Sequence, residues 1–94
     1  MKTKLKVVGR TEEGKVVVAG VFAHYSTTGL PLDVMFDCFH RKQIVPDWLT
    51  FYVEAVQAGM KRARILSMLD AAIADSYGAE FRNVVIERLT LITK

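Results

Sequence analysis

The side chains best suited to nucleophilic, proton-transfer or metal chemistry are His24, Cys38 and His40. An imidazole relays a proton or holds a metal, and a thiolate attacks electrophilic carbon, but each needs a partner within reach. Cys38 and His40 stand two residues apart, which on a helix points them roughly opposite ways, so they make neither a local dyad nor a chelate. Neither histidine has a partner at ligand or catalytic spacing. Beside Phe36 and Phe39, Cys38 reads more simply as a small core residue. The chain holds no phosphate-cradling glycine loop, no His-Glu-x-x-His and no Gly-x-Ser-x-Gly. Its acidic pairs, Asp33/Asp37 and Asp70/Asp75, suit solvated helix faces. The expectation is a protein that is not an enzyme, with no catalytic residue, no metal and no cofactor.

A single cysteine excludes an internal disulfide framework and a cysteine-based zinc cluster, and makes a reducing compartment the default. No apolar run reaches the length of about eighteen residues that a spanning helix needs, and the lysines of 1–10 precede no signal-length apolar stretch. A cytoplasmic protein without membrane contact is expected. Thirteen basic residues against ten acidic ones leave a formal charge of +3, compatible with an anionic partner but not pointing to one. With 94 residues, 51% of them hydrophobic, the chain is too apolar for disorder and too short for two domains, so 1–94 is expected to be one domain. That much apolar surface is also more than one small core absorbs. A second surface should cover the surplus.

The elements that must position any site begin with strands. Lys4-Leu5-Lys6-Val7 alternates, Val16 to Phe22 is β-branched and continuous, and Gly14 between them supplies the positive φ of a hairpin loop. A β-hairpin over about Leu5–Ala23 is expected, with Ser26-Thr27-Thr28-Gly29 as a turn. Leu32, Met35, Phe36 and Phe39 then fall on one face of a helix. Pro46-Asp47 opens a second helix, apolar on more than one face from Trp48 to Val56. A third runs over Met60–Tyr77 with Ile65, Leu66, Met68, Leu69, Ala72 and Ile73 in its core stripe, and Gly78 stops it. The stripe Phe81, Val84, Val85, Leu89 and Ile92 suits a last helix, yet the strand formers of 84–93 equally suit a third strand joining the hairpin. The fold class expected is α+β, a hairpin packed on three to four helices.

Ala55, Gly59 and Ile65 form the most specific local pattern. The spacing resembles the helix-turn-helix of DNA-binding proteins, where alanine permits close helix approach, glycine makes the turn and the aliphatic residue plugs the angle. The resemblance covers about twenty residues, 51–70. It implies a recognition helix over Met60–Tyr77, with Lys61, Arg62 and Arg64 at its entrance available to phosphates or base edges. Glu54 departs from the pattern, which has an aliphatic residue there. The outward face of that helix departs further, because Ala63, Ser67, Asp70, Ala71 and Ala74 are small or acidic, with only Arg64 basic nearby, where a groove reader carries long donors.

Ala63, Ser67 and Ala71 recur every four residues, a smooth strip on which another helix can lie, although alanine is also simply the best helix former. Trp48 and Tyr52 suit an interface anchor or, more often, a core. If Trp48 and Leu49 take different faces, the outer one is the candidate hot spot. Lys2, Lys4 and Lys6 share one face of a strand and guard its edge. The leading reading is therefore a non-enzymatic protein-interaction module, a homo-oligomer or a small subunit or inhibitor of a larger assembly, with contacts on Trp48, Tyr52, Ala63, Ser67 and Ala71. Its size and lack of catalytic motif suit a phage or mobile-element accessory protein. The alternative is a small DNA-binding regulator using Lys61, Arg62 and Arg64.

Overall fold

The β-branched run at 16–19 forms the middle strand of a three-stranded sheet in the computed structural model of the chain, which describes residues 5–93. Strand β1 (Lys6–Arg10) pairs antiparallel with β2 (Val16–Ala19), with a bulge between Val7 and Gly9. Gly14 (φ 87°) closes the hairpin loop, where its N–H donates to the Thr11 carbonyl at 2.9 Å. Lys2 and Lys4 lie outside the described residues; Lys6 is exposed on the strand.

The hairpin ends earlier than the residue pattern predicts. Gly20 (φ 86°) turns the chain out of the sheet, and Val21–Thr28 is a helix, α1, not the end of a strand and a turn. The reason is burial. Successive strand residues face opposite sides, whereas α1 sinks both Val21 and Phe22 into one core. The turn signal at 26–29 is the last turn of that helix, closed by Gly29 (φ 72°), whose N–H bonds back to the Tyr25 carbonyl.

Helix α2 (Leu32–Arg41) buries Leu32, Met35, Phe36 and Phe39, the face its spacing predicts. At its end Gln43 (φ 60°) reverses the chain into a short strand, β3 (Ile44–Pro46), parallel to β2. Parallel neighbours need a crossover, and α1 and α2 together provide it. The Asp47 N–H continues the ladder to the Val18 carbonyl at 2.7 Å, one residue beyond Pro46.

Three more helices follow, α3 (Trp48–Gln57), α4 (Arg62–Tyr77) and α5 (Ala79–Ile92). The described residues thus hold five helices, more than the three to four expected. Residues 84–92 are helical, so the third strand of the sheet is β3 and not the C-terminal segment. As a helix, α5 buries Val85 and Leu89 and packs Phe81 and Ile86 against the core, which a strand of alternating faces could not.

One hydrophobic cluster unites β2 with all five helices, centred on Phe36, Phe51, Ile65, Leu69 and Ile73, each no more than 1% exposed. Polar ties fix the helices around it. The Tyr77 hydroxyl donates to the Ile44 carbonyl at 2.8 Å, joining α4 to β3. The Arg62 guanidinium donates to Thr93 Oγ1 at 3.1 Å and to the Thr90 carbonyl at 3.2 Å, joining the start of α4 to the end of α5. Arg82 and Asp70 pair at 2.8 Å between the same two helices.

Candidate protein-interaction surface

Helix α3 has two apolar faces and only one of them is spent on the core. Phe51 and Ala55 are buried, with Trp48 and Tyr52 packed beside them. On the other side Leu49, Val53 and Val56 are 43–45% exposed, and their i, i+4, i+7 spacing aligns them in one ridge. Leu49 rather than Trp48 is the outer residue of that pair.

The ridge runs into a groove at Leu49. The groove encloses about 420 Å³, floored by Val17, Val45, Pro46 and Trp48 and walled on the far side by Phe81, Val84, Arg88 and Ile92 of α5. Thr11 and Asp47 are its other polar lining residues, and one Asp47 carboxylate oxygen accepts from the Thr50 hydroxyl at 2.7 Å. Beyond the groove the outward face of α5 carries a shallow depression bounded by Val84, Glu87, Arg88, Leu91 and Ile92. Val84, Leu91 and Ile92 are 61%, 64% and 54% exposed, although Val84 and Ile92 stood in the expected core stripe. Leu49, Val84 and Ile92 line the same groove, so the α3 ridge and the α5 face form one continuous apolar surface.

The residues expected at an interface divide. Trp48 lines the groove but is half-buried, its ring edge-on to Phe36 at 5.3 Å, Tyr77 at 5.9 Å and Phe81 at 6.1 Å. Tyr52 packs on the core. Ala63, Ser67 and Ala71 are all exposed along α4 but line neither the groove nor the α5 depression. Residue spacing alone missed Leu49's neighbours Val53 and Val56, and missed Val84 and Leu91. The clue was available in α3, whose apolar residues are too many for a single face.

Where α3 turns into α4, Ala55 and Ile65 are fully buried and Gly59 adopts φ 96°, with the Met60 N–H donating to the Ala55 carbonyl at 3.0 Å. Glu54 is half-buried, and its Oε1 has no hydrogen-bond partner among the described residues. Lys61 and Arg64 are exposed, whereas Arg62 is committed to the end of α5.

The groups with catalytic chemistry are scattered. His24 sits half-buried on α1, and His40 stands edge-on to Tyr77 at 4.9 Å. Cys38 is exposed rather than in the core, because the buried face of α2 is filled by Met35, Phe36 and Phe39. Burial pushes the Tyr77 hydroxyl above the usual phenol range. Among the described residues no group of three or more His, Cys, Asp or Glu side chains is placed to hold a metal ion. No described helix is long and apolar enough to cross a membrane. Comparison of the chain with family models, with characterised proteins and with solved structures gives no match.

Proposed function

We propose that this chain is a non-enzymatic protein-interaction module that docks a partner on the apolar surface running from the α3 ridge across the groove to α5. The observation that carries it is the continuity of Leu49, Val53 and Val56 with Val84, Leu91 and Ile92. Isolated exposed valines need no explanation, but a joined patch beside a groove does. Each of these six side chains leaves about half its surface in water. Covering all six contributes on the order of 6 kcal/mol, at about 2 kcal/mol for each fully buried aliphatic chain. Association itself costs about 4–15 kcal/mol, so one-sided burial supports only a weak complex and a tight one needs apolar surface from the partner as well.

The test is a photo-crosslinking amino acid placed at Leu49 and, as a control, at exposed Lys42 on the end of α2. In the cell that makes the protein, position 49 should give adducts of discrete mass and position 42 should not. Adducts at neither position, or equally at both, would remove the proposed surface.

A second reading, DNA binding through α4, draws on the left-handed Gly59 turn and on exposed Lys61 and Arg64. It has one fewer free cation than the residue pattern offered, since Arg62 is engaged elsewhere. Duplex binding that falls steeply with salt and with Lys61→Ala and Arg64→Ala would favour it over protein docking.

A further inference from the structure

The outward face of α5 has apolar residues at both ends and charges that exchange sign when its direction is reversed. Val84, Glu87, Arg88 and Leu91 follow i, i+3, i+4, i+7 spacing and bound one depression. The two ends are apolar and 61% and 64% exposed, and the two central residues carry opposite charges. Neither Glu87 nor Arg88 makes an ion pair with another described residue, where the pairs are Arg41–Asp37 and Arg82–Asp70.

We propose that the partner for this face is a second copy of the chain, with the two α5 helices antiparallel about a two-fold axis that passes between Glu87 and Arg88. The proposal rests on the interaction-module reading above and names its occupant. In that register Val84 of each copy meets Leu91 of the other, and each Glu87 meets the other's Arg88. Apolar groups are covered and every charge gains an opposite. A parallel arrangement sets glutamate on glutamate and arginine on arginine, and an antiparallel shift that sets Val84 on Arg88 buries a cation against an aliphatic chain. An isologous contact of this kind uses the same patch twice, as two-fold dimers do.

Size bears on the arrangement. A standard interface takes about 800 Å² from each partner, roughly one-eighth of the 6032 Å² that this chain exposes. A 14-residue helix is only about 21 Å long and supplies part of that. Leu49 lines the groove with Val84 and Ile92, so the end of the α3 ridge lies beside the two-fold contact and extends it.

Light scattering during gel filtration, run up to the solubility limit, tests the proposal on the full chain. The expected result is a concentration-dependent dimer. Glu87→Arg and Arg88→Glu should each weaken it about tenfold or more, since each sets like charges together at two symmetric places. The double exchange, Glu87→Arg with Arg88→Glu, should restore it. Both positions are exposed, and circular dichroism of each variant checks that the helices persist. A monomer at every concentration overturns the two-fold contact. So does a dimer indifferent to the single changes, or one that the double exchange fails to restore. A monomer that still crosslinks another protein from Leu49 overturns the second-copy assignment and leaves the docking surface standing.

Discussion

Arg62 is predicted to be a structural clamp, and replacing it with alanine should cost more stability than replacing either neighbouring cation. Its guanidinium holds Thr93 Oγ1 at 3.1 Å and the Thr90 carbonyl at 3.2 Å, at the carboxyl end of α5. A hydrogen bond from a charged donor contributes about 1.5–3 kcal/mol when well buried, and a cation at a helix carboxyl end adds a few tenths more. The site is only part-buried, so we discount these to about 2 kcal/mol for both bonds together. For a chain of 94 residues that lowers Tm by about 10 °C. Lys61 and Arg64 are exposed, and Lys61→Ala and Arg64→Ala should stay within about 0.5 kcal/mol of the parent. Thermal unfolding followed by circular dichroism at neutral pH reads all three. Arg62→Lys should recover only part of the loss, because an ammonium lacks the planar fork that reaches two acceptors at once. A Tm for Arg62→Ala within about 2 °C of the parent refutes the clamp and returns Arg62 to the surface cations. The outcome also governs any DNA-binding assay, since a loss on changing Arg62 would then report folding rather than contact.

Other perturbations separate core from surface. Phe51→Ala, at a position 1% exposed, should destabilise by about 3–5 kcal/mol, whereas Leu49→Ser two residues earlier should cost no more than about 1 kcal/mol by denaturant titration. Gly59→Ala should cost about 1–2 kcal/mol from backbone strain alone, because φ is 96° and a Cβ there meets nothing within 4 Å. Tyr77 makes stability depend on alkaline pH. Its folded pKa is raised by burial above the ordinary value of 10.0, so its contribution is complete below pH 10 and is lost as pH rises past it toward the folded value. Tyr77→Phe should therefore lose about 1 kcal/mol at neutral pH with the bond to Ile44 and show a shallower decline above pH 10; equal slopes would remove Tyr77 as the cause.

Much of the fold is legible where one physical signal acts alone. The α2 face Leu32, Met35, Phe36 and Phe39 is read directly from its period, and Gly14 and Gly78 mark real breaks with φ of 87° and 95°. The pattern fails where signals compete. Val21 and Phe22 continue a strand-forming run, and only the left-handed Gly20 diverts them into α1. Strand β3 has three residues, one of them a proline that argues against a strand, and its pairing with β2 depends on contacts remote in sequence. The α5 segment carries strand formers, yet burial of Val85 and Leu89 at a spacing of four decides for helix. In α3, composition shows an excess of apolar residues but not which side meets the core. That choice is made by Phe36 and Tyr77, against which Trp48 packs edge-on, leaving Leu49 outside.

Pro46 has one more effect. The Asp47 N–H points inward to Val18, so the next position back along β3 directs its nitrogen to the margin away from β2, where the Tyr77 hydroxyl already caps the Ile44 carbonyl and proline offers no hydrogen to share. The opposite margin, β1, is kinked by its bulge and tipped with Lys6 and Arg10. Neither border accepts another ribbon readily. When these molecules crowd together they should form particles of fixed stoichiometry through their helices, rather than filaments grown by adding strand to strand.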